Sequence, residues 1–154
     1  MLNLGYTASQ DAQAITTAVD LFHFTLADDV PFMLWSLEMA QTTDLASTDQ
    51  EVLRLGLYRG VTGGGGGTGL TEVALDDANT RTISTAVVGQ GTASTGGTLV
   101  KMFYWNIFQA GPLWVATPEA AIRVRQSTGT AAIRLLAAPA DSLTISAEVT
   151  WFEG

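Results

Sequence analysis

The chain has no cysteine, a single lysine and a single histidine, and each scarcity excludes a class of chemistry. Without cysteine there are no disulfides, no thiolate metal site and no cysteine nucleophile. Stability must therefore come from packing or from association. Lys101 is the one lysine, and Arg54, Arg59, Arg81, Arg123, Arg125 and Arg134 are scattered along the chain. Against these 7 cations stand 15 acidic residues, for a net charge of −8. Binding a phosphate backbone requires clustered Lys and Arg, so nucleic acid is not an expected partner.

Long apolar runs are also missing. The apolar stretches are strand-sized, so no membrane span is expected, and the start lacks the basic-then-apolar order of a signal peptide. Charged residues make up only 14% of the chain, well below the usual ~25%. Thr, Ser, Ala and Gly fill the gap, a composition that favours strands and turns over solvated helices. So few charges suggest that part of the surface is covered by another protein.

What is present has a period of two. Leu143, Ile145, Ala147, Val149 and Trp151 alternate with Ser142, Thr144, Ser146, Glu148 and Thr150, as in a strand with one face on a core. Ala131, Ile133 and Leu135 alternate with Ala132, Arg134 and Leu136, and the turn formers Pro139 and Asp141 separate the two strands. Further strands are expected at residues 19–26, with Phe22, Phe24 and Leu26 on one side, and at 52–59, with Leu53, Leu55 and Leu57 together. In a strand over residues 32–41, Met33, Trp35, Leu37 and Met39 face one way. Weaker patterns mark 81–88, 102–108 and 122–125. About eight strands with regular turns predict an all-β protein, a jelly-roll-like antiparallel sandwich. Residues 19–154 form one domain, and residues 1–18 an N-terminal arm or first strand. Residues 8–19 fit either a short helix or an extended arm, and residues 118–121 a single helical turn beginning at Pro118.

No motif for catalysis assembles. The run of five glycines at 63–67 lacks the Gly-Lys-Ser/Thr ending of a phosphate loop, since Gly69 is followed by Leu70 and Thr71. It reads as a mobile surface loop. His23 has no second histidine for a common zinc site and no Gly-x-Ser-x-Gly elbow beside it; it is expected to pack on a sheet face or at a subunit contact. Asp28-Asp29 and Asp76-Asp77 lack calcium-loop spacing and read as turns. No enzyme activity, cofactor or metal is expected. Aromatic residues are the richer group. Phe103, Tyr104 and Trp105 are consecutive, so alternation cannot bury all three in one core, and Tyr104, Trp105 and Trp114 are expected at an oligomer interface.

From residue 19 onward the chain resembles small virion proteins of tailed phages. The resemblance rests on Asp20-Leu21-Phe22, on Glu51-Val52-Leu53-Arg54 leading to Tyr58-Arg59-Gly60 and the glycine loop, and on Gly97-Thr98. It continues through Asn106-Ile107-Phe108 and Trp114-Val115-Ala116-Thr117-Pro118-Glu119. It closes on Arg134-Leu135-Leu136-Ala137-Ala138-Pro139-Ala140-Asp141-Ser142-Leu143 and the terminal Trp151-Phe152-Glu153-Gly154. Such proteins are similar to capsid decoration, or cement, proteins. The resemblance therefore implies a homo-oligomer, commonly a trimer, on the outer surface of a virion capsid, bound to the major capsid protein and assembled in the host cytoplasm. An arm carrying Met1, Leu2, Leu4 and Tyr6 is expected to touch the shell. Competing expectations are a carbohydrate-binding tail or fibre module, a glycosidase with paired carboxylates in a cleft, and a filament or surface-layer subunit that polymerises by strand addition through residues 142–152.

Overall fold

The computed structural model describes residues 4–26, 30–42, 51–78, 85–124 and 129–154. Among these residues there are twelve strands and no helix. They are β1 (Leu4–Ile15), β2 (Val19–Thr25), β3 (Phe32–Gln41), β4 (Val52–Arg59), β5 (Thr68–Gly69), β6 (Val73–Ala74), β7 (Ala86–Thr92), β8 (Thr98–Asn106), β9 (Leu113–Val115), β10 (Ile122–Val124), β11 (Thr130–Leu135) and β12 (Leu143–Glu153). Two six-stranded antiparallel sheets face one another. Sheet A has the order β10-β3-β12-β1-β6, with β9 also on β3; sheet B has the order β5-β7-β2-β11-β4-β8. The expected sandwich is present, with four strands more than the alternation revealed.

Alternation builds the core. Leu143, Ile145, Ala147, Val149 and Trp151 of β12 are all buried. Phe22 and Phe24 of β2 and Leu53, Leu55 and Leu57 of β4 meet them from sheet B. The Trp151 ring is fully buried, with centroids 5.9 Å from Tyr6, 6.0 Å from Phe24 and 6.5 Å from Phe32. Four large rings thus close one end of the sandwich, where aromatic pairing adds to the burial of area.

Three bulges redirect side chains that simple alternation places wrongly. In β3, Leu34 pairs with Trp151 and Ser36 with Thr150, which leaves Trp35 as the extra residue. The inward positions are therefore Phe32, Leu34, Leu37 and Met39, not Met33 and Trp35. Trp35 is turned to the outer face, edge-on to Phe152 at 5.4 Å. In β1, Gln10 pairs with Ala147 and Gln13 with Ile145; Ala12 there has φ 49° and its N–H donates to Ser146 Oγ at 3.1 Å. In β2, Phe22 pairs with Ile133 and Asp20 with Arg134, so Leu21 is the extra residue.

Residues 4–15 are neither a helix nor an arm. They form β1, bonded along its length to β12. Residues 118–120 form a hydrogen-bonded turn, Ala120 N–H to Thr117 O at 3.0 Å, rather than a turn of helix. The strand expected at 81–88 lies at Ala86–Thr92, and residues 81–84 fall outside the described set.

Candidate functional site

Two groupings of side chains have chemistry to offer, one buried and one on the surface. The buried one is organised by the bulge at Leu21, which places Asp20 and His23 on the same, outward face of β2. His23 Nδ1 lies 3.1 Å from Asp20 Oδ2. Ser94, just past β7, gives its N–H to Asp20 Oδ2 at 3.1 Å and its hydroxyl to Oδ1 at 3.0 Å. Arg134 Nη2 donates to Ser94 Oγ at 2.7 Å, and its Nε sits 3.5 Å from Asp20 Oδ1, an ion-pair separation. The guanidinium also stacks over Tyr58, 4.3 Å from the ring centre.

The glycine run covers this cluster. A Cβ on Gly64 would lie 2.7 Å from Asp20 Oδ2, and one on Gly65 3.3 Å from His23 Cδ2. Thr62 and Thr95 exchange backbone hydrogen bonds of 2.9 Å at the base of the loop. One on Gly67 would lie 2.0 Å from Gly89 O, so backbone packs on backbone. The run therefore lies against β2 and β7: Gly64, Gly65 and Gly67 leave little or no room for a side chain, whereas a Cβ on Gly63 would meet nothing within 4 Å and one on Gly66 only Thr92 Oγ1 at 3.7 Å.

Ser, His and Asp are all in the cluster, but their order is wrong for acyl transfer. A nucleophilic serine needs the histidine as its base. Here both Ser94 and His23 bond to Asp20, and the serine hydroxyl is held between the carboxylate and Arg134. The arrangement satisfies a buried charge and fastens the loop. Glu153, the other fully buried carboxylate among the described residues, likewise accepts from Thr85 N–H at 2.8 Å and from Trp151 Nε1 at 3.3 Å. Among the described residues no three His, Asp or Glu side chains are grouped to hold a metal ion. Asp76 caps its own turn, accepting from Ala78 N–H at 3.0 Å, while Asp28 and Asp29 lie outside the described residues.

The surface grouping lies on the outer face of sheet A. An antiparallel sheet that faces water is ordinarily polar on that side. Here the register sets Val115 beside Ser36, and Leu113 beside Glu38 and, one strand on, Glu148. Leu113 is 70% exposed and Val115 58%. Trp35, Met33 and Phe152 continue the apolar band, which ends at Leu75 packed near Gly5 and Phe152. Beside Leu113, an open groove of about 810 Å³ runs between β3 and residues 107–111, with Phe108 half exposed on its wall and Gln41, Gln109 and Glu38 as polar groups.

The residues singled out from the sequence fall in different places. Tyr6 is fully buried in the aromatic end of the core and Leu4 packs against the core's edge, so neither can serve as a free arm; Met1 and Leu2 lie outside the described residues. Trp105 is 3% exposed, its indole N–H given to Gln109 O at 3.1 Å, and cannot form an interface. Trp114 is half-buried, edge-on to Phe103 at 6.1 Å across the mouth of the sandwich. Tyr104 alone of the three points out, 70% exposed. The outward band of β9 and Trp35 was missed, because β9 is too short to show alternation and the bulge hides the facing of Trp35. The strand at 142–152 is β12, paired on both sides by β1 and β3, so it has no edge to add to a neighbour. No protein-family model matches the chain, and no curated protein or solved structure compared with it matches either.

Proposed function

We propose that this chain is a structural protein of a phage particle, a capsid decoration protein that docks on the assembled shell through the outer face of sheet A. The observation that carries the reading is the apolar band of Leu113, Val115, Trp35 and Phe152 on a sheet face that would otherwise be polar. Contiguous apolar surface of this kind marks an interaction site. The resemblance of residues 19–154 to tailed-phage virion proteins gives the partner class, the major capsid protein. The row of Glu38 and Glu148 beside the band favours a shell surface that carries Lys or Arg opposite it.

The proposed action is thermodynamic. A protein that binds only the assembled shell stabilises that state by mass action, and several footprints per oligomer raise the effective concentration of each. Co-sedimentation with empty expanded capsids tests this. The wild-type chain is expected to pellet with them. Leu113→Lys with Val115→Lys, at positions more than half exposed, is expected to weaken pelleting at least tenfold while leaving the circular dichroism spectrum unchanged. A wild-type chain that stays in the supernatant, or a double variant that pellets as well as wild type, overturns the proposal.

A further inference from the structure

The four edges of the sandwich are unequal. Sheet A ends on one side in β6, which pairs only Tyr6 and Thr7 of β1, and the rest of that edge is broken by the bulge between Gln10 and Gln13 and carries the exposed Asp11. On the other side it ends in β9 and β10, three residues each, interrupted by the turn that holds Pro118. Sheet B ends on one side in the two-residue β5. Short, broken edges of this sort are how sandwiches avoid pairing with other chains. The remaining edge is different. β8 runs nine residues, Thr98–Asn106, with β4 on one side and no strand on the other among the described residues. It contains no proline and no acidic residue, and Lys101 is its one charge. A bulge at Val100, between the pairs Leu57–Lys101 and Tyr58–Leu99, is its single irregularity and leaves residues 101–106 regular.

We infer that β8 pairs antiparallel with β8 of a second copy, across a two-fold axis normal to sheet B, so that the two sheets B become one of twelve strands. Three observations select this occupant. A two-fold axis brings an antiparallel edge onto itself, so the one regular edge among the described residues is its own partner, whereas a three-fold ring requires β8 to meet a different edge of its neighbour, and those edges are two or three residues long or, along β1, bulged and acidic at Asp11. Each copy carries −8, so contact is favoured where acidic groups are missing, and β8 is such a stretch. The side chains also complement themselves. In a register centred on Phe103, Met102 faces the second copy's Tyr104, covering the ring that is 70% exposed, and Lys101 faces the second copy's Trp105. Only a register centred on Lys101 sets like charges opposite each other. The contact covers roughly 500 Å² per copy, less than the ~800 Å² of a standard interface, so the expected dissociation constant is on the order of micromolar. This dimer replaces the trimer expected from the resemblance.

Sedimentation equilibrium from ~1 μM to ~1 mM of the full chain tests the inference. A monomer–dimer equilibrium is expected, and Tyr104→Lys should raise its dissociation constant at least tenfold without changing the thermal midpoint. A nitroxide on Tyr104→Cys, the sole thiol in that variant, should report a pair distance under ~20 Å in the dimer, since the two positions are offset by two residues along the paired strands. A trimer, a monomer throughout, an unchanged constant in Tyr104→Lys or a long nitroxide distance would each overturn it. A monomeric wild type whose capsid pelleting is lost in Tyr104→Lys would assign the edge to the shell protein instead. Leu113→Lys with Val115→Lys reads the shell face separately, so the two proposals fail independently.

Discussion

Removing the Asp20 carboxylate should be among the most damaging single changes available outside the aromatic core. Asp20 is fully buried and receives Ser94 N–H at 3.1 Å, Ser94 O–H at 3.0 Å and His23 Nδ1 at 3.1 Å, with Arg134 Nε at 3.5 Å. Asp20→Ala leaves all of these without their acceptor, and the Arg134 guanidinium, 12% exposed, keeps its charge with no counterion. Taking one partner from a buried ion pair costs about 3–5 kcal/mol, and an orphaned neutral donor about 1–3 kcal/mol. The terms do not simply add, because the glycine lid can lift and let water reach the donors. A total of about 3–5 kcal/mol is therefore expected, a large part of the ~5–15 kcal/mol that holds a domain folded. Asp20→Asn keeps the volume and one acceptor oxygen, and should lose about half as much. The assay is urea unfolding followed by tryptophan fluorescence, with Arg134→Met and the double variant Asp20→Ala/Arg134→Met completing a cycle. If the orphaned guanidinium dominates, the double variant is more stable than Asp20→Ala. A loss below ~1 kcal/mol in Asp20→Ala, or strict additivity in the cycle, would refute the reasoning.

Two other perturbations follow from the packing. Trp151→Ala empties the fully buried site between Tyr6, Phe24 and Phe32 and should cost about 3–5 kcal/mol in the same assay, whereas Trp151→Phe should lose less because a ring is retained. In the glycine lid, Gly67→Ala would set a methyl 2.0 Å from Gly89 O and should destabilise by about 1–3 kcal/mol and speed hydrogen exchange at Gly64 and Gly65. Gly66→Ala, where the nearest atom is Thr92 Oγ1 at 3.7 Å, should be tolerated.

The sequence displayed what period two can display. Each of the eight expected strands overlaps a strand of the sandwich, the one at 81–88 only over residues 86–88, and the clearest, β4 and β12 as far as Trp151, have apolar residues at every other, inward position. β1 stayed open between an arm and a first strand because its inward positions after Tyr6 are Ala8 and the buried Gln10, which gives its amide N–H to Leu21 O at 3.0 Å. A small residue and a polar one do not register as an apolar face. The facings of Trp35 and Asp20 were hidden by single-residue bulges, which move side chains on one side of the bulge to the opposite face without leaving a mark in composition. The glycine run was conspicuous, but its glycines fit a tight lid as well as a loose loop, and only the atoms beneath distinguish the two. The surface band draws on β9, β3 and β12, three segments far apart in the chain, so no local pattern could have joined them.

The position of β12 has a consequence for how the protein is made. Its two neighbours in sheet A, β1 and β3, both precede it in the chain by more than a hundred residues. Until residues 143–153 are synthesised, β1 and β3 lack the strand that joins them, and the slot for Trp151 between Tyr6, Phe24 and Phe32 stays empty. Sheet B waits almost as long, since β11, which joins β2 to β4, is complete only at Leu135. Such long-range closure makes folding slow and leaves bare apolar edges exposed while it is pending. On the ribosome, both sheets should close late and nearly together, each by the insertion of one central strand from the last twenty-five residues.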